Sequence, residues 1–82
     1  MNVHIKIFPI AGLNDRKQEL EITLEKGNLN EALNRLREQT GVNFGEMKTL
    51  MFLHNGKALD KHEDNVFREG DQLWLLPVLS GG

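Results

Sequence analysis

The sequence predicts a two-layer α+β domain in which one helix covers one face of a mixed sheet. Three observations carry this. Apolar residues alternate along the first two segments, the spacing changes to a helical one at Leu29, and short apolar runs bounded by turn residues return after it. With 82 residues the chain suffices for one domain. A chain of this size buries only about 60–65% of its unfolded surface, so an enclosed catalytic pocket beside a stable core is not expected.

The elements follow in order. Val3, Ile5 and Ile7 alternate with His4, Lys6 and Phe8, which marks a first strand that Pro9 closes. Gly12-Leu13-Asn14-Asp15 is turn chemistry. Leu20, Ile22 and Leu24 then alternate with Glu19, Glu21, Thr23 and Glu25, a second strand with one buried and one solvated face, forming a hairpin with the first. Gly27-Asn28 breaks it. Leu29, Ala32, Leu33 and Leu36 share one helical face, with Asn28 as N-cap, Glu31 bonding back in a capping box, and Gly41 ending the helix. Arg35, Arg37 and Glu38 are expected to face water.

Beyond the Asn43-Phe44-Gly45 loop, Leu50 to Leu53 predicts a third strand, Asn55-Gly56 a type I′ turn, and Lys57-Ala58-Leu59 a short fourth strand. Asp60 to Asn65 reads as a polar loop, Gly70-Asp71 as a turn, and Gln72 to Leu76 as a final, strongly apolar strand. Hairpin, helix, then two or three strands is the order of the ubiquitin-like β-grasp, with four to five strands and the last lying parallel beside the first. Residues 1–79 are expected to form this domain and residues 80–82 a flexible Gly-Gly tail.

A single helix covers one face only. The second strand clothes its other face in Glu and Thr, but Phe8, Trp74 and Leu76 point away from the helix, and the third strand is apolar on both sides. Contiguous exposed apolar surface marks a partner site. The alternative is that strand ends and the Asp60–Arg68 loop fold over these side chains.

Several functions are excluded or disfavoured. Net charge is −2 and the cations are scattered, so there is no basic stripe for nucleic acid. No cysteine is present, which rules out a thiolate nucleophile, disulfides, a Cys-ligated zinc site and an iron–sulfur cluster. His4, His54 and His62 are not spaced as metal ligands and are expected on the surface. Asp60, Glu63 and Asp64 lack the ligand pattern of a calcium loop. No apolar run is long enough for a membrane span and no leader is evident, so a cytoplasmic location is expected. Neither a phosphate-binding glycine loop nor an activated serine is present, and no cofactor is expected on this chain.

The last strand runs into Leu76-Pro77-Val78-Leu79-Ser80-Gly81-Gly82, a narrow segment suited to threading into another protein, since glycine lets backbone pass close to a surface. With Glu69-Gly70-Asp71-Gln72-Leu73 entering that strand, the chain resembles the ubiquitin-like sulfur carriers over nearly its whole length. It is most similar to the small subunit of molybdopterin synthase and next to the thiamin-type carriers. Leu75-Leu76 stands where two aromatics are usual in the molybdopterin branch, and Val78 where a second proline is frequent. The Leu53-His54-Asn55-Gly56-Lys57 turn is similar to the thiamin branch.

The resemblance implies that a ubiquitin-activating-type adenylyltransferase uses ATP to activate the Gly82 carboxylate. The thiocarboxylate then formed would donate sulfur within a second enzyme, such as a large synthase subunit. It implies Gly81 and Gly82 as the reacting tail, and Phe8, Trp74, Leu76, Pro77, Leu79 and Ser80 as partner contacts. Thiamin or amino-acid pathways, and conjugation of Gly82 to lysines as a protein modifier, stay open beside it.

Overall fold

The computed structural model describes residues 1–60 and 65–78. Its elements are β1 (Asn2–Ile7), β2 (Gln18–Thr23), α1 (Leu29–Thr40), a 3-10 turn (Phe44–Glu46), β3 (Leu50–His54), β4 (Lys57–Ala58) and β5 (Gln72–Pro77). The sheet is five-stranded, in the order β2-β1-β5-β3-β4. β1 pairs antiparallel with β2 and parallel with β5, and β5 pairs antiparallel with β3. The expected β-grasp order is therefore present, with the first and last strands adjacent and interior. β4 stops one residue short of the expected Leu59, although the Leu59 N–H still donates to the Phe52 carbonyl at 2.9 Å.

The alternation in β1 is real: Val3, Ile5 and Ile7 are buried against the helix layer, while His4, Lys6 and Phe8 are only half-buried. Leu73 and Leu75 of β5, Phe52 of β3 and Ile22 of β2 complete the sheet's inner face, and Leu29, Ala32 and Leu36 of α1 close over it. Burying each such Leu, Ile or Phe contributes about 1.5–3 kcal/mol against leaving it exposed. Among the described residues no polar or charged residue is fully buried.

Helix α1 begins and ends where its cap residues predict. The Asn28 side chain accepts from the Glu31 N–H at 2.8 Å, and Gly41, at φ 77°, donates its N–H to the Arg37 carbonyl at 2.8 Å. The Glu31 carboxylate does not return to the cap residue as a simple capping box would have it. It accepts from the N–H groups of Glu25, Lys26 and Gly27, at 2.8, 2.8 and 2.9 Å. Those bonds, the one from Glu25 foremost, hold its carboxyl below the usual glutamate range. One side chain thus ties the strand–helix connection to the first turn of α1. Arg37 and Glu38 face water, and Arg35 lies half-exposed, 3.4 Å from Glu38.

The Asn55-Gly56 turn has φ of 51° and 86°, both positive as a type I′ turn requires. The core also draws on segments that read as loops. Ile10, Phe44 and Phe67 are almost fully buried, and the Phe67 N–H donates to the Gly27 carbonyl at 2.7 Å. Phe67 lies against the ring of His54, with centroids 4.4 Å apart. His54 is accordingly not a surface residue: its side chain is 22% exposed, and Nε2 sits 2.8 Å from Asp71 Oδ2. His4 does lie at the surface, and His62, Glu63 and Asp64 fall outside the described residues.

Two substitutions test this architecture in urea titrations. Asn28→Ala should lower stability by about 1 kcal/mol through loss of the cap bond. Phe67→Ala should cost about 3–5 kcal/mol despite its position in a loop, because it empties a filled core site.

Candidate functional site

The strand registers decide which side chains share the sheet's uncovered face. Lys6 stands opposite Glu19 on one side and Trp74 on the other; Trp74 stands opposite Leu53, Leu76 opposite Met51, and Leu53 opposite Ala58. Residues paired across strands point to the same side of a sheet. Trp74 and Leu76 are half-buried, Phe8 likewise, and Met51 is exposed. Residues 61–64 of the Asp60–Arg68 loop, the alternative cover, lie outside the described residues.

Trp74 is the centre of this surface. Its ring meets Phe8 edge-on, with centroids 5.6 Å apart and planes inclined at 61°. Such a pair adds about 0.5–1.5 kcal/mol beyond its area. The Lys6 ammonium lies 4.7 Å from the Trp74 ring centroid and 6.0 Å from that of Phe8, close enough for cation–π attraction of about 0.5–1 kcal/mol. Trp74 Nε1–H donates to Gln72 Oε1 at 3.1 Å, which holds the indole in place. Lys6 also reaches Glu19 at 3.7 Å, and Glu19 lies 3.3 Å from His4. The hydrogen bond with His4, helped by Lys17 and Lys6, keeps the Glu19 carboxyl below its usual range. The result is an aromatic platform with a cationic cover and an acidic margin toward β2.

Pro77 ends the parallel ladder by chemistry. The next bond in the β1–β5 ladder would run from residue 77 to the Phe8 carbonyl, and proline has no N–H to give. That carbonyl accepts instead from Asn14 Nδ2, at 3.4 Å. On the other side β5 stays attached: Pro77 pairs with Leu50, and the Val78 N–H donates to the Thr49 carbonyl at 2.7 Å. The chain is therefore held to the sheet through Val78. Leu79, Ser80, Gly81 and Gly82, all expected contact or reacting residues, lie outside the described residues.

Of the expected contacts, Phe8, Trp74 and Leu76 are together on one face, while Pro77 points to the helix side with Leu50 and acts at the strand exit. Sequence reasoning missed the roles of Lys6, Leu53 and Met51. Their membership follows from register, which no pattern within a single strand reveals. Among the described residues no group of three or more His, Cys, Asp or Glu could hold a metal ion, and no helix is long and apolar enough to cross a membrane.

A second polar cluster secures the start of β5. Burial of Asp71 pushes its pKa up, but hydrogen bonds from the His54 ring, the Arg68 N–H and the Asn55 side chain outweigh that and hold it below the aspartate value of 3.8.

A mixed five-stranded sheet with one covering helix, an aromatic outer face and a central last strand defines a ubiquitin-like β-grasp protein. Comparison with known proteins agrees. A model described as the ThiS family matches residues 5–82, and the chain belongs to that family of ubiquitin-like sulfur carriers. SAMP1 from Haloferax volcanii is similar with a TM-score of 0.74 and 23% identity, covering 100% of both chains. A protein–protein complex of subunits 1 and 2 of the molybdopterin-converting factor from Helicobacter pylori includes a chain similar at TM-score 0.64 and 21% identity, again over 100% of both. A ubiquitin-like protein from Caldiarchaeum subterraneum aligns at TM-score 0.52 and 17% identity, over 99% of this chain and 100% of that one. At these identities the likeness is one of fold. Among curated proteins no match was found.

The Asp71 cluster gives a pH prediction. A carboxyl whose pKa is lower folded than unfolded stabilises the fold fully above its unfolded value, and that stability is lost as pH falls through the folded one. Urea midpoints of the wild type should fall as pH drops below the aspartate value of 3.8. Asp71→Asn should be less stable at neutral pH and show a flatter acid limb.

Proposed function

We propose that this chain is a sulfur carrier whose Gly82 is adenylated and converted to a thiocarboxylate, and that it serves molybdopterin synthesis as the small subunit of the synthase. The observation that carries the reading is the central strand β5 of a ThiS-family chain, which runs past the Phe8–Trp74 platform into Pro77 and onward to Gly81-Gly82. The molybdopterin-converting factor complex from Helicobacter pylori supports a second subunit as partner and this branch of the chemistry. The chain acts in the cytoplasm.

The chemistry divides between this chain and two partners. In a ubiquitin-activating-type adenylyltransferase, a Gly82 carboxylate oxygen attacks the α-phosphorus of ATP, and pyrophosphate leaves. The terminal sulfur of a persulfide then attacks the acyl carbon and AMP leaves. A thiol reduces the acyl disulfide so formed, leaving the sulfur on Gly82 as a thiocarboxylate. The large synthase subunit finally accepts the tail, and its sulfur passes to the precursor, with water cleaving the acyl carbon–sulfur bond and restoring the Gly82 carboxylate. This chain binds no cofactor; its part is to bind and to present. Phe8, Trp74 and Leu76 supply affinity, Pro77 sets the exit, and Leu79, Ser80 and Gly81 form the slender lead to the reacting carbon.

Intact mass spectrometry of protein from the native host tests the reading. A thiocarboxylate appears as a gain equal to the difference between sulfur and oxygen, and it should vanish when Gly82 is deleted. Lysine-linked adducts without that gain would instead make the chain a protein modifier. Trp74→Ala should weaken binding of the synthase partner about 10-fold or more, as removal of a central aromatic contact does. It should also lower the melting temperature by several degrees through loss of the Phe8 and Lys6 contacts, so binding is compared at a temperature where both proteins are folded.

A further inference from the structure

Four large apolar side chains are exposed among the described residues: Leu13 (40%), Met51 (38%), Val66 (68%) and Val78 (48%). Three of them stand at one end of the domain. Because β1 and β5 are parallel, with Ile7 opposite Leu75, both strands run out at the same end. There Val78 is pinned to Thr49, Met51 stands opposite Leu76, and the β1–β2 loop carries Leu13. Val66 belongs to the opposite end, since its neighbour Phe67 bonds to Gly27 beyond the far end of β2.

Leu13 is held out by construction. The Asn14 side chain accepts from the Ile10 N–H at 3.1 Å and donates to the Arg16 carbonyl at 2.8 Å. The N–H groups of Leu13 and Asn14 both donate to the Ile10 carbonyl, at 3.0 and 3.1 Å, and Gly12 supplies the positive φ of 81° the loop needs. Leu13 also borders a cleft of about 350 Å³ beside Val42 and the end of α1. A loop so fixed loses little freedom when a partner covers it.

Covalent geometry says what covers it. Gly82 lies four residues beyond Val78, and four steps of ~3.3–3.6 Å span at most about 14 Å. On the reading proposed above, an enzyme that takes the Gly82 carboxylate into an enclosed nucleotide site must bring the entrance of that site against the residues around Val78. We propose that Leu13, Met51 and Val78 form an apolar collar around the tail exit, and that the adenylating enzyme seats the rim of its tail channel on it. This seat adjoins the Phe8–Trp74 platform, sharing Met51 with it, and extends it past the end of β5 to Val78 and Leu13. The rim that fits it is apolar and uncharged, because the collar itself presents no charge.

The test is ATP–pyrophosphate exchange catalysed by the adenylyltransferase of the native host, with the carrier as varied substrate. Leu13→Ala and Met51→Ala should each raise KM for the carrier about 10-fold with kcat unchanged, the pattern of lost uniform binding. Val66→Ala should leave both constants at their wild-type values. One glycine inserted between Leu79 and Ser80 should do the reverse of the collar variants, lowering kcat while KM stays within about twofold, since it displaces the reacting carbon but not the seat. Thermal melts of each variant separate folding from docking. Wild-type KM in both collar variants, or an equal rise in Val66→Ala, overturns the collar while the carrier reading stands. A wild-type chain that supports no exchange at all overturns both.

Discussion

The parallel pairing of the first and last strands governs the rest of the molecule. Once β1 and β5 lie side by side, β2 and β3 can only flank them, and the one helix must cross over a single face to connect the halves. Two consequences follow. The last strand lies in the middle of the sheet, supported from both sides as far as Leu75, by β3 as far as Pro77 and by Thr49 at Val78. Among the described residues no element covers the face opposite the helix, and there the register gathers Phe8, Trp74, Leu76, Leu53 and Met51.

An uncovered apolar face threatens solubility, and the side chains around it moderate that threat without abolishing the surface. Lys6 lays its stem and charge over the Trp74 ring, Gln72 holds the indole N–H, and Glu19 anchors both Lys6 and His4. These contacts lie at the surface, where such attractions are weak and screened by salt, so a partner can displace them.

The loops contribute as much to order as the strands do. Phe67 closes the core beneath His54, and Glu31 takes three backbone donors from the connection ahead of α1. Asn14 organises the β1–β2 loop, while Asp71 secures the entry to β5 through His54 and Arg68. These polar side chains fix the two ends of the strand that carries the tail. β5 is thus held at both ends as far as Val78.

The sequence by itself determined what depends on neighbours along the chain. The alternation of Val3, Ile5 and Ile7, the helical face of Leu29, Ala32 and Leu36, the caps at Asn28 and Gly41, and the Asn55-Gly56 turn are local matters of backbone geometry and side-chain period, so they could be read directly. The apolar outer face was legible in part, because Phe8, Trp74 and Leu76 fall out of phase with the buried positions. Tertiary structure alone decided which residues join them. Lys6 and Leu53 meet Trp74 only through the register of β1 and β3 against β5, a quantity set by pairing between distant segments. Phe67, Ile10 and Phe44 become core for the same reason: a lone apolar residue in a loop carries no period, and only the cavity it fills gives it a place. The gathering of Leu13, Met51 and Val78 at one end likewise follows from two strands running the same way, which no single segment encodes.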